Sequence, residues 1–190
     1  VAALANILCN KYEVEIACTY KLYDKSSFYI DPKVNIKYLT NVVPNKKELK
    51  DAIKKKNVIS IFKEGIKSVS VLSKRKHSMI NYIKNCDSDC IIATRDIFDE
   101  WLSIYGKEEC LKIGWEHNHH HGNMKYASMI VRSCKKLDYL VLVSDNLRKY
   151  YSKEMEKYHC KCVFIPNIVD NMPDELSSVS SKKLISVGRL

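Results

Sequence analysis

Short runs of apolar residues recur along this 190-residue sequence and alternate with longer stretches that have helical spacing. Several of these runs, such as CIIAT and YLVLV, are apolar at every position, which is typical of strands covered on both faces. The pattern restricts the chain to the α/β class of folds. The predicted strands are residues 14–20, 34–39, 90–94, 111–115, 139–143, 162–165 and 184–187.

Helical periodicity fills the stretches between these strands. Residues 1–10, 68–85 and 127–134 are predicted helices, and Ser144 with Asp145 can cap another that carries Leu147. Alternation of strands and helices at this spacing favours parallel strands joined by helical crossovers. We therefore expect an open, doubly wound parallel sheet of the Rossmann-like kind.

A change of composition near the C-terminus predicts a domain boundary. Residues 173–183, PDELSSVSSKK, are polar and serine-rich, which is typical of a linker. Residues 1–172 are predicted to form one domain, which suits their length. Residues 184–190, LISVGRL, resemble the first strand of a second domain that the sequence does not continue.

Positive charge is concentrated in one segment. Residues 46–84 hold 12 basic and 3 acidic side chains, whereas the rest of the chain holds 20 and 19. This segment is either a solvated helical face, a surface for an anionic membrane or acceptor, or a nucleic-acid site. Interleaved apolar residues favour the membrane over nucleic acid, for which no stacking motif is present. The candidate surface residues are Lys54, Lys55, Lys56, Lys63, Lys67, Lys74, Arg75 and Lys76.

Several common kinds of site are not indicated. The sequence has no GxGxxG turn, no P-loop and no G-x-S-x-G motif. The eight cysteines do not form well-spaced CxxC pairs, and several lie in apolar runs, so buried free thiols are expected rather than zinc ligands. No run of 18 apolar residues predicts a transmembrane helix.

Polar residues directly follow four of the predicted strands, at 94–96, 116–118, 144–145 and 166–167. Ligands of open parallel sheets bind beyond these carboxyl ends. The densest group is WEHNHHHG at residues 115–122, which contains four histidines. It is a solvated loop, a metal site, or a strand-end segment in which His117 contacts substrate hydroxyl or phosphate oxygens.

The order of these segments resembles family 4 glycosyltransferases, also called group 1 glycosyl transferases, which have the GT-B architecture. The resemblance rests on VAALANILCNKYEVEIACTY at the start, WEHN at 115–118, LDYLVLVSDNLRKYY at 137–151, VFIPNIVD at 163–170 and LISVGRL at 184–190. Residues 1–172 would then be the N-terminal, acceptor-side half of the enzyme.

The resemblance implies a retaining transferase that moves a sugar from a UDP- or GDP-sugar to a cell-envelope or membrane-linked glycan. It implies that His117 is the catalytic residue and faces the donor. Glu116, Asn118 and Asn167 would bind substrate, and Arg189 would contact the donor diphosphate.

The same resemblance implies no metal cofactor. No nucleic-acid partner is expected, because no stacking motif accompanies the basic segment, and the expected location is cytoplasmic and peripheral on the inner face of the membrane. The family's first strand with its glycine-rich turn, and its paired glutamates, have no counterpart in the sequence. We therefore expect the 190-residue chain to be inactive alone. A non-catalytic module that binds nucleic acid or anionic surfaces through residues 46–84 is the alternative.

Overall fold

The computed structural model describes residues 1–168 and Ser180. Residues 1–168 form six helices and six strands. In chain order these are α1 (Ala2–Leu8), β1 (Glu15–Cys18), β2 (Asn35–Tyr38), α2 (Lys46–Lys54), α3 (Val58–Asn85), β3 (Cys90–Ala93), α4 (Asp96–Tyr105), β4 (Leu111–Glu116), α5 (Met124–Cys134), β5 (Tyr139–Leu142), α6 (Asp145–Met155) and β6 (Lys161–Phe164).

The strands form two open parallel sheets. One contains β1 and β2, and the other has the order β3-β4-β5-β6. Every pair is parallel, so the predicted open α/β fold of the Rossmann-like type is confirmed. The predicted strand at 184–187, the linker apart from Ser180, and Arg189 lie outside the described residues.

The main core lies between the four-stranded sheet and helices α4 to α6. Since the strands follow one another in sequential order and crossovers between parallel strands are right-handed as a rule, these three helices are expected on one face of the sheet. Burial of each large apolar side chain stabilises the fold by about 1.5–3 kcal/mol. The fully buried side chains include Leu102, Ile130, Leu137, Leu140, Leu142, Leu147 and Tyr151.

Helices α5 and α6 confirm the predicted ones, and the Ser144 side chain caps α6 by accepting from the Leu147 amide at 3.3 Å. Helix α3 is longer than predicted. It begins at Val58 because Asn57 caps it by accepting from the Ser60 amide at 3.0 Å. Helices α2 and α4 were not predicted.

Helix α3 connects the two sheets. The Tyr82 hydroxyl donates to Oε1 of Glu15 in β1 at 2.7 Å, and the Lys37 ammonium lies 5.2 Å from the centre of the Tyr82 ring. Leu39, just after β2, packs against the main core. The small sheet therefore lies against the same helix that leads into β3.

The two open sheets leave four strand edges without a partner among residues 1–168, those of β1, β2, β3 and β6, and the edges of β1 and β3 can be described residue by residue. The Leu111 amide donates to the Asp89 carbonyl, and along a strand alternate residues direct their backbone groups to opposite sides. Asp89, Ile91 and Ala93 therefore face β4. Cys90 and Ile92 direct their backbone groups away from it. By the same alternation, the bond from the Asn35 amide to Val14 leaves Ala17 directed away from β2. Such edges are open to strand addition.

Amide exchange tests this arrangement. In the 190-residue chain, the amides of Ala17 and Ile92 should exchange at least ~10²-fold faster than those of Leu140 and Val141, which lie in a strand paired on both sides. The measurement is hydrogen–deuterium exchange by NMR at low protein concentration. Slow exchange at Ile92 would mean that another strand occupies this edge.

Candidate functional site

Polar side chains gather where the strands of the four-stranded sheet end. Arg95 and Asp96 follow β3, residues 116–118 end and follow β4, and Ser144 and Asp145 follow β5. Because all four strands are parallel, these positions share one edge of the sheet, here called the rim. Asn167 follows β6 and is exposed, beyond the point where the Ile165 amide still donates to Leu142 at 3.0 Å.

Glu116 is the buried carboxylate of the rim. Its Oε1 accepts from the Asn118 amide at 2.6 Å, and its Oε2 accepts from the Tyr126 hydroxyl at 2.9 Å. Burial, and then the bond to Glu116, raise the pKa of Tyr126 to about 12. The carboxylate therefore fixes the turn after β4 to helix α5.

His117 is exposed and stacks on the buried ring of Trp115. The ring centres are 5.9 Å apart and the planes differ by 8°. No hydrogen bond within residues 1–168 engages either nitrogen of His117. The indole thus holds the imidazole in place from one side and leaves its nitrogens available to a ligand.

The other three histidines of the loop form a separate cluster. Nδ1 of His119 accepts from the His121 amide at 2.9 Å, and Nδ1 of His120 accepts from the Gly122 amide at 3.1 Å. The His120 ring packs against Tyr150 at 4.5 Å. In the part of the chain that the structure describes, no three histidine, cysteine or acidic side chains are grouped to hold a metal.

A second buried carboxyl, Asp99 of α4, lies beneath the rim. Burial, and then the charge of Glu116, raise its pKa to about 8, and the neighbouring Cys134 thiol lowers it by a smaller amount. Its Oδ1 has no hydrogen-bond partner among the described residues. A Cβ atom on Gly114 would lie 3.0 Å from that oxygen and 2.9 Å from Cδ1 of Leu137. Glycine at 114 therefore allows α4 to approach β4 closely.

The candidate basic residues lie apart from the rim, on α2, α3 and the connection between them. None of the lysines makes an ion pair within residues 1–168. Arg75 differs from them, because its guanidinium lies 5.8 Å from the centre of the Trp101 ring and its Nε is buried. Arg75 is thus part of the contact between α3 and α4.

Sequence reasoning identified Glu116, His117 and Asn118 from their position after an apolar run, but it missed Asp99 and Tyr126. A signal for Asp99 was present. Residues 96–105 place Phe98, Trp101 and Leu102 at helical spacing, with Asp99 on the same side. Nothing in the sequence alone pairs Tyr126 with Glu116.

Fold and rim together define an open parallel α/β domain with a polar strand-end site. No protein-family model matches the sequence, and no curated protein matches it. Among the described helices none is long and apolar enough to cross a membrane.

Replacement of Asp99 by asparagine should change how stability depends on pH. The folded chain keeps the Asp99 proton up to about pH 8, whereas an unfolded aspartate releases it near pH 4. Between these values the folded state binds the extra proton, so the free energy of unfolding falls as pH rises, by at most about 1.4 kcal/mol per unit.

Asp99→Asn removes this titration, so its stability relative to wild type should increase between about pH 5 and pH 8 by a few kcal/mol. Urea denaturation at several pH values measures it. Asp24→Asn, at an exposed carboxyl, is the control. A constant difference between wild type and Asp99→Asn would contradict the prediction.

Proposed function

We propose that this chain is the N-terminal, acceptor-side domain of a retaining glycosyltransferase. The enzyme would transfer a sugar from a UDP- or GDP-sugar to a cell-envelope or membrane-linked glycan on the cytoplasmic side. The observation that carries the proposal is the exposed His117, stacked on Trp115 at the carboxyl end of a central parallel strand. The resemblance of WEHN and the later segments to family 4 glycosyltransferases supplies the reaction class.

The charges of the rim support the acceptor side rather than the diphosphate side. Asp96, Glu116 and Asp145 bring three carboxyls to the strand ends. The positive charges near Asp145 are committed, because Arg148 and Lys149 contact that carboxylate at 2.7 and 2.8 Å. Carboxylates and amides both suit sugar hydroxyls, whereas the carboxylates repel a diphosphate.

The rim residues would then have different roles. His117 offers a ring nitrogen to an oxygen of the donor sugar or its phosphate. Glu116 is a positioning residue, since both of its oxygens are used within the chain. Asn118 and Asn167 are exposed. The side-chain nitrogen of Asn118 already donates to the Tyr126 hydroxyl at 3.4 Å, so Asn118 offers its carbonyl oxygen to the substrate, whereas Asn167 offers its whole amide. Arg189 stays the candidate for the donor diphosphate, on the basis of the resemblance alone.

The leaving diphosphate needs positive groups to stabilise its charge. Basic side chains and helix N-termini supply these in the proposed enzyme without a metal. The rim itself offers Arg95, which is exposed at the start of α4. The main diphosphate site would lie on the donor side of the cleft.

A transfer assay tests the role of His117. The protein made from its complete gene, whatever its length, is incubated with radiolabelled UDP- and GDP-sugars and lipid-linked acceptors. His117→Ala should lower turnover by about 10²–10³-fold, which is the range for loss of a positioned proton-transfer or hydrogen-bonding group.

His121→Ala is the matched control, because His121 lies in the same loop but contacts His119 rather than Trp115. It should keep wild-type turnover. Unchanged turnover in His117→Ala, or absence of sugar transfer by the folded protein with every donor, would contradict the proposal.

A further inference from the structure

Helix α3 carries a stripe of large apolar side chains that are exposed. Their exposed fractions run from 50% at Leu72 to 82% at Ile59. After an adjacent first pair they recur at spacings of three and four residues, so they share one side of the helix. Isolated exposed apolar residues are ordinary, but a continuous row of this kind marks a contact surface. The stripe consists of Val58, Ile59, Phe62, Ile66, Val69 and Leu72.

A different side of α3 makes its contacts within the chain. Asn45, which precedes α2, donates to Oε2 of Glu64 at 2.6 Å and accepts from the Ser68 hydroxyl at 2.9 Å. Val71 and Met79 are buried on the same helix. Since this inner side already packs, the stripe is an additional face that no described residue covers.

Unpaired lysines border the stripe. At roughly 100° per residue, Lys63, Lys67 and Lys74 fall together on the side next to it. Lys54, at the end of α2, and Lys56, in the connection, stand near the start of α3. Because none of them has an ion-pair partner within residues 1–168, the charge around the stripe is not neutralised by the part of the chain that the structure describes.

An apolar stripe bordered by lysines favours one kind of binding partner over the others. A second copy docked stripe to stripe would bring two sets of lysines together, which is unfavourable. Single-stranded nucleic acid binds through stacking aromatic rings, and the stripe offers only Phe62. An anionic bilayer satisfies both features, since acyl chains take the apolar side chains and phosphates take the ammonium groups.

We propose that α3 docks on an anionic lipid bilayer, with its apolar stripe in the interface and its lysines at the level of the lipid phosphates. The helix lies along the surface and does not cross it, in keeping with the charged residues on its other sides. This inference goes beyond the proposed transferase and does not depend on the chemistry at the rim.

The test is co-sedimentation of the 190-residue chain with phosphatidylcholine vesicles, with and without phosphatidylglycerol. Wild type should bind the phosphatidylglycerol vesicles at least ~10-fold more strongly than the neutral ones. The double variant F62S/I66S should lose ~10-fold or more of that binding, because two inserted side chains are removed. The control F28S/Y29S removes two equally exposed rings from another segment and should bind like wild type.

A charge series separates the two contributions. K63Q/K67Q/K74Q should weaken binding to the anionic vesicles and reduce its dependence on salt, whereas the neutral-vesicle value should not change. The matched control removes three exposed lysines from the N-terminal segment and should have a much smaller effect. Its substitutions are K11Q, K25Q and K33Q.

Three results would overturn the proposal. They are equal binding to both kinds of vesicle, wild-type binding by F62S/I66S, and a wild-type dimer in size exclusion that F62S/I66S converts to a monomer. A fourth result would also overturn it: RNA that displaces the chain from the vesicles and remains bound to it would identify nucleic acid as the partner. If the double variant does not fold, Phe62→Trp gives the readout instead: its fluorescence should shift to the blue with anionic vesicles only.

Discussion

The close approach of α4 to β4 at Gly114 determines the geometry of everything built on the central strands. With no Cβ at this position, the Asp99 carboxyl and Leu137 occupy the space beside the strand. Leu102 of the same helix is completely buried, and its Trp101 ring lies 5.8 Å from the guanidinium of Arg75, so α3 contacts α4 while α4 packs against the sheet. The cost is a carboxyl in the core. The cost is limited because burial keeps Asp99 protonated and therefore uncharged at neutral pH.

The alternation of side chains along β4 then separates structural from functional roles at its end. Gly114 and Glu116 face α4 and α5, where Glu116 accepts from Tyr126. Trp115 and His117 face the other way, where the indole supports the imidazole. A one-residue change of register would exchange these roles. The strand therefore fixes both the anchored carboxylate and the accessible histidine, and this explains why neighbouring polar residues behave so differently.

The fold was largely predictable because buried parallel strands are apolar at nearly every position, and this signal survives without knowledge of tertiary contacts. Helix α2 was missed because it is rich in lysine and buries only Ala52, so its sequence shows no clear apolar face. The start of α3 was missed because most of its large apolar residues between 58 and 72 face outward, with Val71 as the buried exception, and so do not follow a core-facing pattern. His117 was predictable from its place after a strand. The partnership of Glu116 with Tyr126 was not, since it depends on how α5 returns to the sheet.

The outward-facing stripe also bears on why the charge of the chain is so uneven. Residues 46–84 carry nine of the ten net positive charges. Charge that served only solubility would not need to accompany a row of exposed aliphatic side chains, which lowers solubility. A solvated helical face explains the lysines but leaves Ile59, Phe62 and Ile66 without a reason. A partner surface with an apolar interior and negative groups at its boundary would explain both the lysines and the exposed apolar side chains through one contact. The rim carries carboxyls instead, so the two surfaces of this chain are suited to partners of different chemistry.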